Sequence, residues 1–206
     1  MGTPAPAVSG AVIAGGTSRR LGTDKRLVTV EGTALLARTV GVLRPLVADV
    51  QVVVADPADR TLVTDVLRAD ADPPTITVDA RSGFGPAAGL EAALAAAHRP
   101  LVLVLATDHP ALVPAVLALL VARARASTAA AVALAGPRGG EPFLAVYRRD
   151  ALPAVRAALD AGTRRMQALL TGLDAELVPE AEWRALDPDG RTLADVDVPE
   201  DLPGHG

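Results

Sequence analysis

The chain contains no cysteine, a single lysine and few aromatic residues. Without cysteine there is no disulfide, no thiolate zinc site and no thiol nucleophile. Aromatic side chains make up only 2% of the 206 residues, so the core must be built mainly from Ala, Val and Leu. The formal net charge of −4 argues against a protein that binds nucleic acid without sequence preference, because such a protein normally presents a basic face. This net charge is compatible with binding of a small phosphorylated ligand.

Long apolar runs are also missing. No stretch reaches the roughly 18 apolar residues that predict a membrane span. The first residues, 1–9, carry no Lys or Arg and so lack the charged start of a signal peptide. We therefore expect a cytoplasmic protein that contacts neither membrane nor nucleic acid. The length fits one α/β domain over residues 1–206.

Short runs rich in Val and Leu alternate with Ala- and Leu-rich stretches that are long enough for helices. Runs without polar alternation are typical of strands buried on both faces of a mainly parallel sheet, at whose carboxyl ends ligands bind. We expect a turn at Gly136–Pro142. The predicted strands are Val8–Ala14, Val50–Ala55, Thr75–Val78, Leu101–Ala106, Ala129–Leu134, Phe143–Tyr147 and Leu193–Val198, and the predicted helices are Ala34–Leu46, Ala58–Asp70, Ala87–Ala97, Pro110–Ala126, Asp150–Ala161 and Met166–Leu170.

A glycine-rich segment, Gly15–Lys25, follows the first apolar run and ends at the only lysine of the chain. Glycine lets backbone N–H groups approach an anion closely, and lysine is a compact charge that fits between phosphate oxygens. The segment has neither the Gly-Lys-Ser/Thr of a Walker A loop nor the Gly-x-Gly-x-x-Gly of a dinucleotide site. It indicates a nucleoside triphosphate site, against the alternative of a stray surface lysine in an arginine-rich chain.

Residues 12–36, VIAGGTSRRLGTDKRLVTVEGTALL, resemble the N-terminal signature of the molybdenum cofactor guanylyltransferase family, with Leu21 where the signature has Met. The resemblance implies a Rossmann-like three-layer αβα fold. It implies transfer of a nucleoside monophosphate from a triphosphate to a phosphate-bearing acceptor, with release of pyrophosphate. Arg20 and Lys25 would hold the phosphates as catalytic residues. The nucleotide-binding residues that it implies in this segment are Ala14, Gly15, Gly16, Thr17, Ser18, Gly22 and Lys25.

An aspartate, Asp108, stands at the end of an apolar run and ahead of a predicted helix. Mg²⁺ prefers one or two carboxylates together with phosphate oxygens and water, so Asp108 is a candidate metal ligand and catalytic residue. The alternative is a helix N-cap formed by Thr107 or Asp108. The family has a matching Asp-x-Pro, which favours the metal role, and His109 occupies its variable position.

A second glycine-rich segment, Asp79–Gly89, resembles the family's Gly-Pro-x-Ala-Gly loop, which opens a helix beside the nucleotide. Helix N-termini favour anions, and glycine lets a ligand approach closely. The resemblance implies that Gly85 contacts the nucleotide and that Asp79 accepts hydrogen bonds from a guanine base. Without the family, a plain turn and helix start would explain the segment equally well.

Residues 194–202, ADVDVPEDL, resemble the family's C-terminal Asn-x-Asn-Thr-Pro-Glu-Asp-Leu, with Asp195 and Asp197 in place of the asparagines. Asp197 would then be a second Mg²⁺ ligand beside Asp108. The alternative is an acidic turn in solvent. The Asp-x-Asp version also occurs in the related cytidylyltransferases, so the choice between GTP and CTP stays open.

The segment 140–147 and the turn Gly162–Arg165 resemble family segments on the acceptor side of the cleft. Arg164 and Arg165 would grip the acceptor's phosphate through paired N–H donors. Their alternative is a solvated helix start. The resemblance thus divides the domain into a nucleotide-binding part, at about residues 8–110, and an acceptor-binding part, at about residues 111–202.

These features predict a Mg²⁺-dependent nucleotidyltransferase that joins GMP from GTP to molybdopterin or its molybdenum-loaded form. The resemblance also implies partners among molybdoenzymes or cofactor-delivery proteins. Three alternatives remain: a cytidylyltransferase for the same cofactor, a nucleotidyltransferase for a sugar phosphate, and an adaptor that binds a nucleotide without catalysis. The charge set of Arg20, Lys25 and Asp108 argues against the adaptor, which needs no such groups.

Overall fold

A seven-stranded sheet forms the centre of the molecule in the computed structural model, which describes residues 8–15, 24–81 and 83–195. A separate two-stranded hairpin, β2 and β3, lies outside this sheet. In chain order the strands are β1 (Val8–Ile13), β2 (Thr29–Val30), β3 (Thr33–Ala34), β4 (Asp49–Val54), β5 (Thr75–Val78), β6 (Leu101–Ala106), β7 (Ala131–Gly136), β8 (Gly139–Arg148) and β9 (Glu176–Val178).

Helices connect most of the strands. They are α1 (Leu35–Leu43), α2 (Asp59–Val66), α3 (Pro86–Ala96), α4 (Pro114–Ala126), α5 (Leu152–Asp160), α6 (Met166–Gly172) and α7 (Glu180–Arg184), with short 3₁₀ turns at Lys25–Leu27, Arg44–Leu46, Arg149–Ala151 and Arg191–Leu193. Three of them, α3, α4 and α5, have proline in their first two positions, where the missing N–H is of no consequence. None of the helices in the described ranges has both the length and the apolar character that a membrane crossing requires.

The strand order of the sheet is β5-β4-β1-β6-β8-β7-β9. Strands β5, β4, β1 and β6 are parallel, β9 runs parallel to β7, and β8 is antiparallel to both of its neighbours. The chain builds outward from β1 to β5 and then returns to add β6 on the other side of β1. This reversal makes the carboxyl ends of β1 and its neighbours the expected ligand site of an α/β sheet.

Alternate strand residues face the two helical layers, because side chains of a strand point to opposite faces in turn. Val8 and Val12 of β1 belong to the core cluster that includes residues of α1, α2, α4 and α7, whereas Ala11 and Ile13 belong to the cluster that includes residues of α3, α5 and α6. All six residues of β1 and of β6 are buried, as expected for strands covered on both faces of the sheet. The result is the three-layer αβα arrangement with a mainly parallel sheet that the sequence analysis anticipated.

The predicted turn at Gly136–Pro142 is wrong in extent. Strand β7 continues to Gly136 and β8 begins at Gly139, so only residues 137 and 138 form the turn. The register of the β7–β8 ladder shifts between Ala133 and Leu134, so that Ala133 pairs with Ala145 and Leu134 with Glu141. Pro142 lies within the extra residues of this irregularity, where β7 requires no N–H donor from it.

Two further expectations differ from the structure. Helix α4 begins at Pro114 with Val113 at its N-cap, so Pro110 belongs to the preceding turn and neither Thr107 nor Asp108 caps the helix. Leu193 ends a 3₁₀ turn rather than beginning a strand. Strand β9 and helix α7 were not predicted.

Candidate active site

A cavity of about 420 Å³ opens at the carboxyl ends of β1, β4 and β5. Three residues that the sequence analysis assigned to the nucleotide, Gly15, Asp79 and Gly85, line it together. They come from three separate segments of the chain, and the parallel sheet brings them to one edge. The first turn of α2 contributes Asp59 and the turn before it contributes Asp56.

The end of β1 lies close against the end of β4. The backbone N–H of Ala14 donates to the carbonyl of Val53 at 2.8 Å. A Cβ on Gly15 would lie 3.3 Å from the Cβ of Ala55 and 3.4 Å from its backbone nitrogen, which is closer than most such contacts. Glycine at position 15 therefore lets the chain leave β1 along the wall of the cavity.

Asp79 follows β5 directly, and its backbone N–H donates to the carbonyl of Val54 at 3.0 Å. Its side chain is partly buried. Burial raises the pKa of the Asp79 carboxyl above its ordinary value and nearby Glu91 adds to the effect, while a hydrogen bond from the backbone of Arg81 acts in the opposite direction. A partly desolvated carboxylate aimed at a cavity is well suited to accept N–H donors from a ligand.

Helix α3 begins at the cavity. Its N-cap, Gly85, has φ +63° and ψ −150°, a conformation that is essentially restricted to glycine. Pro86 follows at the first helical position, and both residues line the cavity. The first turn of this eleven-residue helix thus presents its positive end to the same space as Asp79.

Phe84 connects the nucleotide-side loop with the turn before α6. The guanidinium carbon of Arg164 lies 4.7 Å from the centre of the Phe84 ring, and that of Arg81 lies 5.8 Å from it. Arg81 is further held by Glu91 of α3 at 2.6 Å and by Asp160 of α5 at 2.6 Å. Arg164 therefore contacts the loop that lines the cavity at Gly83 and Gly85, whereas Arg165, the exposed N-cap of α6, has no ion pair among the described residues.

Asp108 stands two residues beyond β6, with 33% of its side chain exposed. It does not line the cavity described above. His109 Nε2 lies 3.7 Å from Asp108 Oδ1, and His109 Nδ1 lies 3.2 Å from the carbonyl oxygen of Ala194. The Asp108 turn therefore packs beside residues 194 and 195, which precede Asp197 in the C-terminal motif.

The other predicted site residues lie outside the described part of the chain: Gly16, Thr17, Ser18, Arg20, Gly22 and Asp197. Lys25 is described through its backbone alone, as the first residue of a 3₁₀ turn. Within the described ranges no group of three or more His, Cys, Asp or Glu side chains is arranged to hold a metal ion.

Arg26 was not predicted as a site residue. Its side chain is almost completely buried and pairs with Asp24 and with the cavity residue Asp59. The only signal in the sequence was its position next to the single lysine, and nothing local indicated that it would contact a residue 33 positions away.

Comparisons with known proteins identify the family of the chain. Residues 10–177 match the sequence model of the MobA-like NTP transferase domain. The chain is 38% identical over 202 residues to a probable molybdenum cofactor guanylyltransferase from Chloroflexus aggregans, covering 95% of this chain and 91% of that protein. It is 36% identical over 194 residues to a protein of the same description from Opitutus terrae, with 89% and 91% covered.

Among solved structures, molybdopterin-guanine dinucleotide biosynthesis protein A from Archaeoglobus fulgidus superposes with a TM-score of 0.80 at 25% identity. The superposition covers 94% of each chain. The 4-diphosphocytidyl-2C-methyl-D-erythritol synthase from Anaerococcus prevotii shares the fold, with a TM-score of 0.68 at 13% identity and 94% and 92% covered.

Proposed function

The chain belongs to the MobA-like NTP transferase family and is a nucleotidyltransferase, and from that premise we propose that it transfers GMP from GTP to molybdopterin or its molybdenum-loaded form, releasing pyrophosphate. The names of its relatives support GTP and the molybdenum cofactor as substrates. The observation that carries the proposal is the cavity shared by Gly15, Asp79 and Gly85, because it joins a carboxylate, a close backbone approach and a helix N-terminus.

The guanine base is assigned to Asp79. Guanine presents an N–H and an NH₂ donor side by side, and an ionised carboxylate can accept from both at once. Cytosine has a different arrangement of donor and acceptors on this edge, so Asp79 favours GTP over CTP. The backbone at Ala14 and Gly15 would run along the base and ribose, and the N-terminus of α3 would face the ligand.

The reaction needs no strong base, because the terminal phosphate of the acceptor is already an anion. One of its oxygens attacks the α-phosphorus of GTP, a new P–O bond forms, and the bond from the α-phosphorus to the bridging oxygen breaks. Pyrophosphate leaves with that electron pair. Lys25 and Arg20 would neutralise the charge on the transferring group and on the departing pyrophosphate, so catalysis rests on positioning and charge.

Mg²⁺ is proposed as the cofactor, held by Asp108 with Asp197 as the second carboxylate. Asp108 is a partly exposed carboxylate at a strand end, and Mg²⁺ needs only one or two carboxylates when phosphate oxygens and water complete its shell. The donor type therefore fits even without a larger cluster. When bound, the ion would offset negative charge at the phosphates.

The acceptor is assigned to the side of Arg164 and Arg165. Arg164 stacks on Phe84, whose loop leads into Gly85 at the nucleotide cavity. An acceptor phosphate on Arg164 would therefore lie on the side of the cavity formed by the loop of Phe84. Both arginines are exposed, which leaves their N–H donors accessible to a phosphate group.

Cytidylyl transfer to the same acceptor is the second candidate. Asp195 and Asp197 stand where the guanylyltransferase motif has asparagine, and the same Asp-x-Asp pattern occurs in the related cytidylyltransferases, which leaves CTP as a candidate substrate. The raised pKa of the Asp79 carboxyl also makes its charge at the base site dependent on pH. The two reactions differ only in the base pocket, so a direct comparison of nucleotides separates them.

The test is pyrophosphate release from GTP, CTP, ATP and UTP, each with molybdopterin, with and without Mg²⁺. The proposal predicts release from GTP that requires both molybdopterin and Mg²⁺ and falls by orders of magnitude in Lys25→Ala and Asp108→Ala. Release from CTP instead would establish the second candidate. Full activity in both variants, with an unchanged unfolding midpoint, would refute the assigned roles.

A further inference from the structure

We propose that Arg26 is a positioning residue of the nucleotide site, which anchors the end of the glycine-rich segment to α2 and offsets part of the negative charge of Asp59 at the wall of the cavity. The inference rests on the proposed function in one respect, namely that the cavity accepts a nucleoside triphosphate. It adds a residue and a role that follow from the contacts of Arg26 itself.

Arg26 makes a two-sided ion pair with Asp24. Its Nε lies 2.8 Å from Asp24 Oδ1, and its Nη2 lies 2.5 Å from Asp24 Oδ2. The backbone N–H of Arg26 also donates to Asp24 Oδ1 at 3.0 Å, and that of Leu27 donates to the Asp24 carbonyl at 2.9 Å. These bonds close a turn in which Lys25 lies between Asp24 and Arg26.

The same guanidinium reaches α2. Its Nη2 donates to Asp59 Oδ1 at 2.9 Å, and its Nη1 lies 2.7 Å from Asp59 Oδ2. Asp59 is the first residue of α2, so the turn around Lys25 is tied to a helix whose Val63 is fully buried in the core. Only 4% of the Arg26 side chain is exposed, which leaves its fixed fork of donors little room to change partners.

Charge is the second part of the argument. The cavity is lined by three carboxylates, from Asp56, Asp59 and Asp79. Among the described residues that line it, Arg81 is the only basic one, and its guanidinium is occupied by Glu91 and Asp160. A triphosphate entering this space would be repelled by Asp59 unless a nearby cation compensates it, because charges in a partly buried site are weakly screened. Arg26 offsets part of this charge, because its single positive charge is shared between Asp59 and Asp24.

Two consequences follow for nucleotide binding. Removing Arg26 would release the turn that contains Lys25, and it would leave both Asp24 and Asp59 without the cation that they share. Binding of GTP should weaken, whereas binding of the acceptor, on the side of Arg164, should not. A role confined to stability would change the unfolding midpoint without separating the two substrates.

The experiment measures GTP binding by calorimetry with Mg²⁺, and the KM of GTP and of the acceptor, in four variants. Arg26→Met removes the charge and the donors, Arg26→Lys keeps only a point charge, and Arg26→Met with Asp59→Asn removes both charges. Arg60→Met is the matched control, because Arg60 is exposed and follows Asp59 on the same helix. All variants are compared below their unfolding midpoints.

We expect Arg26→Met to raise the Kd and KM of GTP at least about tenfold, with the KM of the acceptor unchanged. Asp59→Asn in that background should recover much of the loss, Arg26→Lys should lie between, and Arg60→Met should match the wild type. If Arg26→Met does not fold, GTP binding is compared between Arg26→Lys alone and Arg26→Lys combined with Asp59→Asn.

Unchanged GTP binding in a folded Arg26 variant, or no recovery on adding Asp59→Asn, would overturn the inference. Failure of the proposed function looks different, since the wild type itself would then bind no nucleotide. If the wild type binds CTP instead of GTP, the same variants are compared with CTP.

Discussion

The guanidinium group of Arg164 lies over the ring of Phe84, with 4.7 Å between its central carbon and the ring centre. Phe84 belongs to the loop before α3, and Arg164 belongs to the turn before α6, so 80 positions of sequence separate two side chains in contact. The contact joins the nucleotide-side loop to the arginine that we assign to the acceptor's phosphate. A ring face orients a guanidinium while leaving its edge N–H groups available.

Replacing Phe84 by leucine should weaken acceptor binding without affecting GTP. A cation–π contact at a partly exposed site contributes about 0.5–1 kcal/mol, so we expect the KM of the acceptor to rise roughly two- to fivefold. Steady-state kinetics with each substrate varied in turn measures this. Arg164→Ala serves as the reference for complete loss of the arginine. An effect of Arg164→Ala on the acceptor, with none of Phe84→Leu, would show that the stacking is unimportant.

The pH dependence of GTP binding should reflect the ionisation of the Asp79 carboxyl. Only the ionised carboxylate can accept both donors of guanine, and burial raises the pKa of Asp79. As the pH falls through this raised pKa, the carboxyl becomes protonated and GTP binding should weaken, beginning at a higher pH than for an ordinary aspartate with pKa near 3.9. Binding of GTP should in turn favour the ionised form and release a proton.

Calorimetry of wild type and Asp79→Asn across this pH range is the corresponding measurement. The variant should bind GTP more weakly at neutral pH and lack the component of the pH dependence that belongs to Asp79. Protonation of the GTP phosphates affects both proteins equally, so their difference isolates the carboxyl. Identical pH profiles for the two proteins would contradict the assignment of Asp79 to the base.

Gly89 of α3 should not tolerate alanine. A Cβ at this position would lie 3.0 Å from Cγ2 of the buried Ile13, so Ile13 or the backbone of α3 would have to shift by a few tenths of an ångström. Overpacking of this kind typically costs about 1–3 kcal/mol in the free energy of unfolding. Gly89 and Ile13 also line the nucleotide cavity, so GTP binding should weaken as well.

Gly41→Ala is the matched control for this substitution. Gly41 lies in α1, and a Cβ there would have no neighbour within 4 Å. Alanine should therefore stabilise the protein by about 0.5–1 kcal/mol, through its higher helix propensity. Denaturant unfolding of both variants tests the pair. Equal effects of the two substitutions would contradict the tight contact between Gly89 and Ile13.

Tyr147 should ionise only when the protein unfolds. It is the single tyrosine of the chain, it is fully buried, and its hydroxyl donates to the carbonyl of Pro142 at 2.8 Å. Burial raises the pKa of the Tyr147 hydroxyl in the folded state. The stability that this hydroxyl provides is therefore complete below the unfolded pKa of about 10 and is lost as the pH rises above it.

Absorbance of tyrosinate, followed during alkaline titration alongside circular dichroism, measures this directly. Ionisation and loss of structure should coincide, and Tyr147→Phe should lose less stability between neutral and alkaline pH. At neutral pH the same variant should be less stable by about 1 kcal/mol, because the buried carbonyl of Pro142 loses its donor. Ionisation of Tyr147 in protein that keeps its native spectrum would contradict its burial.

The contrast between local and long-range information explains which features could be predicted. Strands β1 and β6 and the loops at Gly15 and Gly85 can be recognised from neighbouring residues alone. Their structure follows from the pattern of apolar residues and from the conformations that glycine allows. The pairing of Arg26 with Asp59, and of Arg164 with Phe84, depends on how distant elements pack. No local pattern encodes such contacts.

The same reasoning accounts for the expectations that differ from the structure. Pro110 looked like a helix start because proline is common there, yet the chain makes a further turn before Pro114. Pro142 looked like part of a turn, yet it lies in a strand whose register shifts opposite Ala133 and Leu134. In both cases the tertiary context decided between two local structures that the same residues allow.

The most direct test of the central claim is to follow isotopic label from GTP into the product. With Mg²⁺ and molybdopterin present, label in the α-phosphate should appear in the acceptor product, and label in the γ-phosphate should appear only in pyrophosphate. That result is the signature of nucleotidyl transfer, since the bond between the α- and β-phosphates is the one that breaks. Transfer of the γ-label to the acceptor, or no labelled product from any nucleoside triphosphate, would contradict the account.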